Sequence, residues 1–228
     1  MQNTQKNQQF AGHDPSRDPD MVWATSDEYA EIRRKRRSRA GVPFRFQDAD
    51  LGNWQADLPG QRKVLEISSY YVEKFPELRR RGSGMVFFGP AGTGKTRMAC
   101  TLVNELAGRG VDAFYTKFPT VLNRLRRTYN NRAFEAVDRV ETRESIVEDL
   151  VSYDLLALDE LASVSGSADE VGLIYDVIDG RYEQARPTIV ATNLNRTALV
   201  QFLTDRLVDR LADQRGAFVA FDWDSRRG

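Results

Sequence analysis

The sequence predicts an α/β protein in which a parallel sheet is covered by helices on both faces. Two observations carry that prediction. Short, continuously apolar runs, "GMVFFG", "DAFYTK", "DLLALDE" and "TIVATN", are each followed by a helical pattern. Apolarity that is continuous rather than alternating marks strands buried on both faces, and regular strand–helix alternation builds parallel crossovers. The composition supports a real core. At 41% hydrophobic and 29% charged residues in 228, the chain reads as one substantial domain with a small appendage.

The elements follow in order. Residues 1 to about 25 are rich in Gln, Asn, Asp and Pro and are expected to be disordered or partner-dependent. Thr25 or Ser26 then caps a helix with Asp27 and Glu28 in its first turn. Its second half places six basic residues in the seven positions from Arg33 to Arg39, before Gly41 and Pro43 stop it. Two readings stay open for that run: a solvated helix end, or an arm for nucleic acid or an acidic partner. Globular texture begins near "FRFQDADLGNW", which divides the chain into an extension, 1–45, and a core, 46–228. Val64, Ile67, Tyr71 and Phe75 form one helical stripe. Helices are then expected from Thr96 to about Ala107, through Val121, Leu125 and Tyr129, through Val171, Ile174, Ile178 and Tyr182, and from Thr197 to Leu203. The charged stretch from about 130 to 150 reads as mostly helical, and there is no internal repeat. Cys100 reads as a small buried hydrophobe.

Several function classes are excluded. The 33 basic and 33 acidic residues cancel, so global charge carries no argument for nucleic acid. One cysteine and one histidine, Cys100 and His13, rule out an internal disulfide and a Cys/His zinc site. No apolar run reaches the roughly 20 residues of a membrane span, and the N-terminus lacks a signal-peptide core. A cytoplasmic protein without membrane contact is expected.

The chemistry is concentrated in "GPAGTGKT", Gly89 to Thr96, which fills the pattern G-x-x-x-x-G-K-[ST] between an apolar strand and a helix. Gly89, Gly92 and Gly94 let successive N–H groups turn toward phosphate oxygens, and Pro90, Ala91 and Thr93 complete the loop. Lys95 reaches the β and γ phosphates, Thr96 offers a hydroxyl to Mg²⁺, and Arg97 adjoins the nucleotide. The run "LLALDE" delivers Asp159 to the C-terminal edge of the sheet, where it would hold Mg²⁺ through water. Glu160 beside it is placed as the general base for the attacking water. "IVATN" ends another strand in Thr192 and Asn193; Asn193 is a candidate to orient that water or sense the γ-phosphate. ATP and Mg²⁺ are the expected cofactors, and the expected activity is ATP hydrolysis.

This order of parts resembles the AAA+ ATPases. The segment "TDRLVDRLADQRGAFVAFDWDSRR" is similar to the C-terminus of the DnaC-type replicative helicase loaders, a pattern of Glu/Asp-Arg-x-x-Asp-Arg and then an aromatic strand into Trp-Asp-Ser-x-Arg. "GVPFRFQDADLGNW" and "DGRYEQARPTIVATN" fit the same family, so the resemblance covers residues 41 to 227. IstB-type transposition helper ATPases share the core and are the alternative; they are not expected to end in the Trp-Asp-Ser tail.

The resemblance implies a protein that loads the hexameric replicative helicase onto single-stranded DNA, with ATP as an assembly and release switch. It implies self-association in which Arg210 reaches a neighbour's γ-phosphate and Arg206 lies at the same interface. On the residues alone, surface pairing with Asp205 and Asp209 accounts for both arginines. By register with the tail pattern, Arg227 is the arginine aimed at the subunit's own nucleotide and Arg226 replaces a tyrosine. The aromatics Phe221 and Trp223 are expected in the last strand of a reduced C-terminal lid, with Phe221 or Trp223 packing inward. DNA contacts are implied for the helix carrying Arg124, Arg126, Arg127 and Tyr129, with Arg124 and Arg127 on its outer face. For Tyr129, base stacking and core packing both stay open. Only about 45 residues precede the core, a shortened partner-binding extension of the sort a phage-encoded loader would carry. A third reading is an adaptor that binds ATP without hydrolysing it.

Overall fold

A computed structural model describes residues 35–130, 141–161, 167–212 and 216–225. Residues 35–39 are helical and Phe44–Phe46 form a 3-10 turn. The start of the basic helix, and residues 1–25, lie outside the described residues. Helices α1 (Pro59–Glu73) and α2 (Phe75–Arg80) lead into β1 (Met85–Phe88). Then come α3 (Lys95–Gly108), β2 (Ala113–Lys117), α4 (Phe118–Asn130), α5 (Arg143–Ser152) and β3 (Leu155–Asp159). The chain closes with α6 (Ala168–Glu183), β4 (Thr188–Thr192), α7 (Arg196–Leu203), α8 (Asp205–Ala212) and β5 (Ala217–Ala220).

The strands form one wholly parallel sheet in the order β2-β3-β4-β1-β5. Successive side chains point to opposite faces of a strand, and the core divides accordingly. Met85, Phe87, Ala157 and Ile189 join a cluster covered by α1 and α3, whereas Val86, Leu156, Leu158 and Val190 join one covered by α4 to α8. Burial on both faces is what the continuously apolar runs predict.

Particular elements depart from the sequence expectation. The stripe predicted as one helix is split: Val64 and Tyr71 are buried in α1, but Phe75 opens α2 after a non-helical Lys74, with Pro76 in the first turn. Of the charged stretch from 130 to 150, residues 143–152 form α5, capped by Thr142; residues 131–140 lie outside the described residues. Phe221 and Trp223, expected within the last strand, follow it. That strand belongs to the main sheet and not to a C-terminal lid: β5 pairs with β1, and the Phe221 N–H continues the ladder to the Phe88 carbonyl at 2.8 Å.

Two features tie distant segments to the sheet. On the outer side of β2, the Tyr115 N–H donates to the Ala40 carbonyl at 2.8 Å, and Ala40 and Val42 are buried in the first core cluster. Gly41 next to them has φ 70°, and a Cβ there would come within 2.2 Å of the Tyr115 carbonyl oxygen, so only glycine permits this approach. At the edge of the sheet where β3 and β4 begin, Arg181 of α6 is completely buried. Its guanidinium donates to the carbonyls of Leu150, Val151 and Tyr153, to that of Pro187 and to the Thr188 hydroxyl, at 2.6–3.2 Å. The carbonyls of Leu150 and Val151 belong to the last turn of α5, where no intrahelical donor remains. The arginine, proline and threonine quoted from "DGRYEQARPTIVATN" are therefore joined by hydrogen bonds. Burial pulls the Arg181 pKa down to about 9, still above neutrality, so the acceptors face a cation.

Candidate nucleotide-binding site

Parallel register brings the C-terminal ends of neighbouring strands level. Lys117 of β2 stands opposite Asp159 of β3, and Phe88 of β1 opposite Thr192 of β4. Beyond these ends lies a cavity of about 610 Å³, onto which Lys95, Thr96, Asp159, Glu160 and Asn193 all open. The structure thus gathers residues separated by up to a hundred positions at one sheet edge, the place where open α/β sheets take ligands.

The glycine-rich loop runs from β1 into α3. Gly94, with φ 103°, is the N-cap of α3 and supplies no side-chain cap, so the first-turn N–H groups are left for an external acceptor. A phosphate suits that position in charge and in hydrogen-bonding capacity. Lys95 is almost wholly buried, its Nζ donating to the carbonyls of Gly89 and Pro90 at 2.8 and 2.7 Å. Thr93 closes the loop by donating its hydroxyl to the Pro90 carbonyl at 2.9 Å.

In the cavity wall, Thr96 Oγ1 donates to Asp159 Oδ2 at 2.7 Å. A hydroxyl and a carboxylate in contact are hard oxygen donors suited to Mg²⁺. The backbone of Glu160 lies at φ 56°, an uncommon conformation for a residue with a side chain, with its N–H on Asp159 Oδ1 at 2.8 Å. Its carboxylate is paired with Lys117, Nζ to Oε1 2.7 Å.

Sequence reasoning missed several residues of this site. Lys117 and Tyr115 come from β2; the Tyr115 hydroxyl donates to Asp159 Oδ2 at 2.7 Å. The signal was available for Lys117, since "DAFYTK" ends in a charged residue at the same sheet edge as "LLALDE". Asn53 and Trp54 come from the segment before α1. Arg97, expected beside nucleotide, donates to the Asn53 carbonyl and side-chain oxygen at 2.7 and 2.9 Å and lies over the Trp54 ring. Trp54 also sits on the loop, where a Cβ at Gly94 would be 2.9 Å from its ring.

The closing tail reaches the loop as well. Trp223 is buried and its indole N–H donates to the Thr93 carbonyl at 3.0 Å, while Ser225 lies against Gly92. Replacing Trp223 with Phe keeps an aromatic in place but strips a buried carbonyl of its donor. Nucleotide affinity should fall by about 5- to 10-fold, on the order of 1 kcal/mol, in a calorimetric titration. An unchanged Kd would show that the tail does not shape the loop. Arg226 and Arg227, expected to follow from this tail toward the nucleotide, lie outside the described residues.

The remaining candidates are placed as follows. Arg206 is exposed on α8. Arg210 pairs with Asp179 of α6 rather than with Asp205 or Asp209, and its guanidinium lies over the rings of Tyr175 and Tyr182. On α4, Arg124 is turned away from the expected outer position, because Glu141 and Asp149 both bind it, at 2.6 and 2.8 Å. Arg126 pairs with Glu170, and Arg127 is exposed. Tyr129 does not continue the buried stripe of Val121 and Leu125: it is 49% exposed in the last turn and bonds Arg143 of α5.

A profile of the IstB-like ATP binding proteins matches residues 49–227. The replicative helicase loader DnaC of Escherichia coli K12 is 28% identical over 190 residues, 83% of this chain and 74% of that one. In three dimensions the chain is similar to the crystal structure of the DnaC helicase loader, with TM-score 0.65 and 22% identity, covering 78% of this chain and 99% of that one. It is also similar to the replication initiator DnaA bound to AMPPCP and single-stranded DNA, with TM-score 0.63 and 20% identity over 80% of this chain and 51% of that one. These structural likenesses establish the AAA+ type of fold. No helix among the described residues is long and apolar enough to cross a membrane.

Proposed function

The chain belongs to the family of IstB-like ATP binding proteins, and from that premise we propose that it hydrolyses ATP and loads a hexameric replicative helicase onto single-stranded DNA. The observation that carries the reading is the contact of Thr96 with Asp159, with Glu160 next in sequence, on the same cavity as Lys95. Likeness to the DnaC loaders over 83% of the chain supplies the biological direction.

In this reading the loop amides and Lys95 bind the phosphates of ATP, and Thr96 and Asp159 hold the Mg²⁺ that neutralises them. Bound Mg²⁺ stabilises the charge that develops on the transferred phosphoryl group. Glu160 takes a proton from the attacking water, and Asn193 orients that water. Lys117 holds Glu160 by an ion pair, so hydrolysis requires the carboxylate to leave it for the water. Arg210 of one subunit serves the γ-phosphate of its neighbour, with Arg206 beside it, and self-association must first draw Arg210 away from Asp179. A planar guanidinium suits developing phosphate charge better than a point charge does. Arg227 is assigned to the subunit's own nucleotide by its place in the tail pattern. DNA is held by Arg127 and Tyr129, both exposed on α4, with Arg124 and the exposed Arg126 joining if their carboxylate partners release them. Residues 1–45 are the helicase-binding arm, with the stretch from Ala40 already packed on the core. The setting is cytoplasmic.

Size-exclusion chromatography with the replicative hexamer tests the proposal. Co-elution is expected with ATP and release after hydrolysis to ADP. Absence of co-elution in either state would remove helicase loading. The IstB-like family match favours one other reading, a transposition helper, which would instead coat duplex DNA in the presence of ATP and ignore the hexamer.

A further inference from the structure

The Asp159 carboxylate is gripped from three sides. Thr96 and Tyr115 both donate hydroxyls to Oδ2, and the Glu160 amide donates to Oδ1. Thr96 opens the helix behind the phosphate loop and Glu160 is the next residue in the chain; Tyr115 alone comes from the neighbouring strand. Register puts Tyr115 opposite Ala157 and Lys117 opposite Asp159. The tyrosine is therefore on the same face as the aspartate, displaced by two residues, a diagonal that an aromatic side chain can span. Its ring is buried at 2% exposure in the first core cluster. Phenylalanine would fill that space equally well, so packing alone does not call for the hydroxyl.

A carboxylate can only accept, so in this 2.7 Å bond the Tyr115 hydroxyl is the donor. A carboxylate offers about four lone-pair sites, and the three donors leave capacity for a cation-bound water. The backbone of Tyr115 is itself pinned, by Ala40 at its N–H and by Gly41 against its carbonyl.

We infer that Tyr115 is a positioning residue: its hydroxyl fixes the orientation of the Asp159 carboxylate and thereby sets how tightly the site holds the divalent cation that accompanies ATP. The inference rests on the ATP reading above. Tyr115→Phe in the full chain tests it by calorimetric titration of ATP across a magnesium series and again in EDTA, alongside thermal unfolding. The magnesium concentration for half-maximal tightening of ATP should rise on the order of 10-fold, the lower range for loss of a residue that orients a metal ligand. Affinity in EDTA should stay as in the wild type, and the thermal midpoint should fall by no more than about 5 °C, because Asp159 keeps Thr96 and the Glu160 amide as donors. An unchanged magnesium midpoint overturns the inference. So does an equal loss of affinity in EDTA, or a collapse of stability, because either would make the hydroxyl a support of the loop or core. A wild-type protein that binds no ATP at all would retire the ATP reading and this inference with it, whereas the other outcomes bear on Tyr115 alone.

Discussion

Glu160→Gln is expected to lower ATP turnover by about 10²- to 10⁴-fold, the usual contribution of a positioned general base, while leaving ATP binding intact. Glutamine keeps the shape of the side chain but cannot accept the proton of the attacking water. The substitution also breaks the ion pair with Lys117, whose partners are 42% and 38% exposed. A pair so open to solvent contributes at most about 1 kcal/mol, so lost activity could not be ascribed to a damaged fold. The variant should accumulate as an ATP-bound assembly that fails to release, visible by light scattering. Adding Arg210→Ala should dissolve that assembly, because the γ-phosphate would lose its contact with the neighbouring subunit. Turnover within twofold of wild type would remove Glu160 as the base, and a trapped assembly indifferent to Arg210 would remove the contact in trans.

The second large effect concerns stability. Arg181→Met keeps an unbranched apolar stem but is shorter, and it deletes the guanidinium donors to Leu150, Val151, Tyr153, Pro187 and Thr188. Each buried acceptor left without a partner costs roughly 1–3 kcal/mol, though such losses are not additive. A net loss of about 3 kcal/mol or more is expected, which for a domain of this size lowers the thermal midpoint by roughly 6–12 °C. Arg181→Lys should recover part of it, since an ammonium keeps three donors but not the planar reach. A midpoint within a degree or two of wild type for the methionine variant would show that the carbonyls find water instead. Activity assayed well below that midpoint should be preserved, because Arg181 lies at the end of the sheet away from the cavity.

What could be read in the sequence followed the range over which each signal acts. The phosphate loop and the aspartate at a strand end are local patterns, because glycines, a lysine and a hydroxyl must fall at fixed offsets for the backbone to turn. The fold class was equally legible, since burial on both faces of a strand leaves a continuous apolar run. Contacts between strands leave no such trace. Nothing in "DAFYTK" announces that Tyr115 will meet Asp159, because that depends on β2 lying beside β3 in one particular register. The same limit applies to Arg124 and Arg210, whose carboxylate partners, Asp149 and Asp179, stand on other helices. Tyr129 shows a related failure: its spacing continues a buried stripe, but it falls in the last turn, where Arg143 rather than the core is its neighbour.

Of the three tryptophans in the sequence, Trp54 and Trp223 touch the phosphate loop, one through its ring against Gly94 and the other through its indole N–H on Thr93. Indole emission responds to hydrogen bonding and to nearby charge. The loop therefore sits between two native chromophores, and a change in its conformation alters the light the unlabelled protein emits.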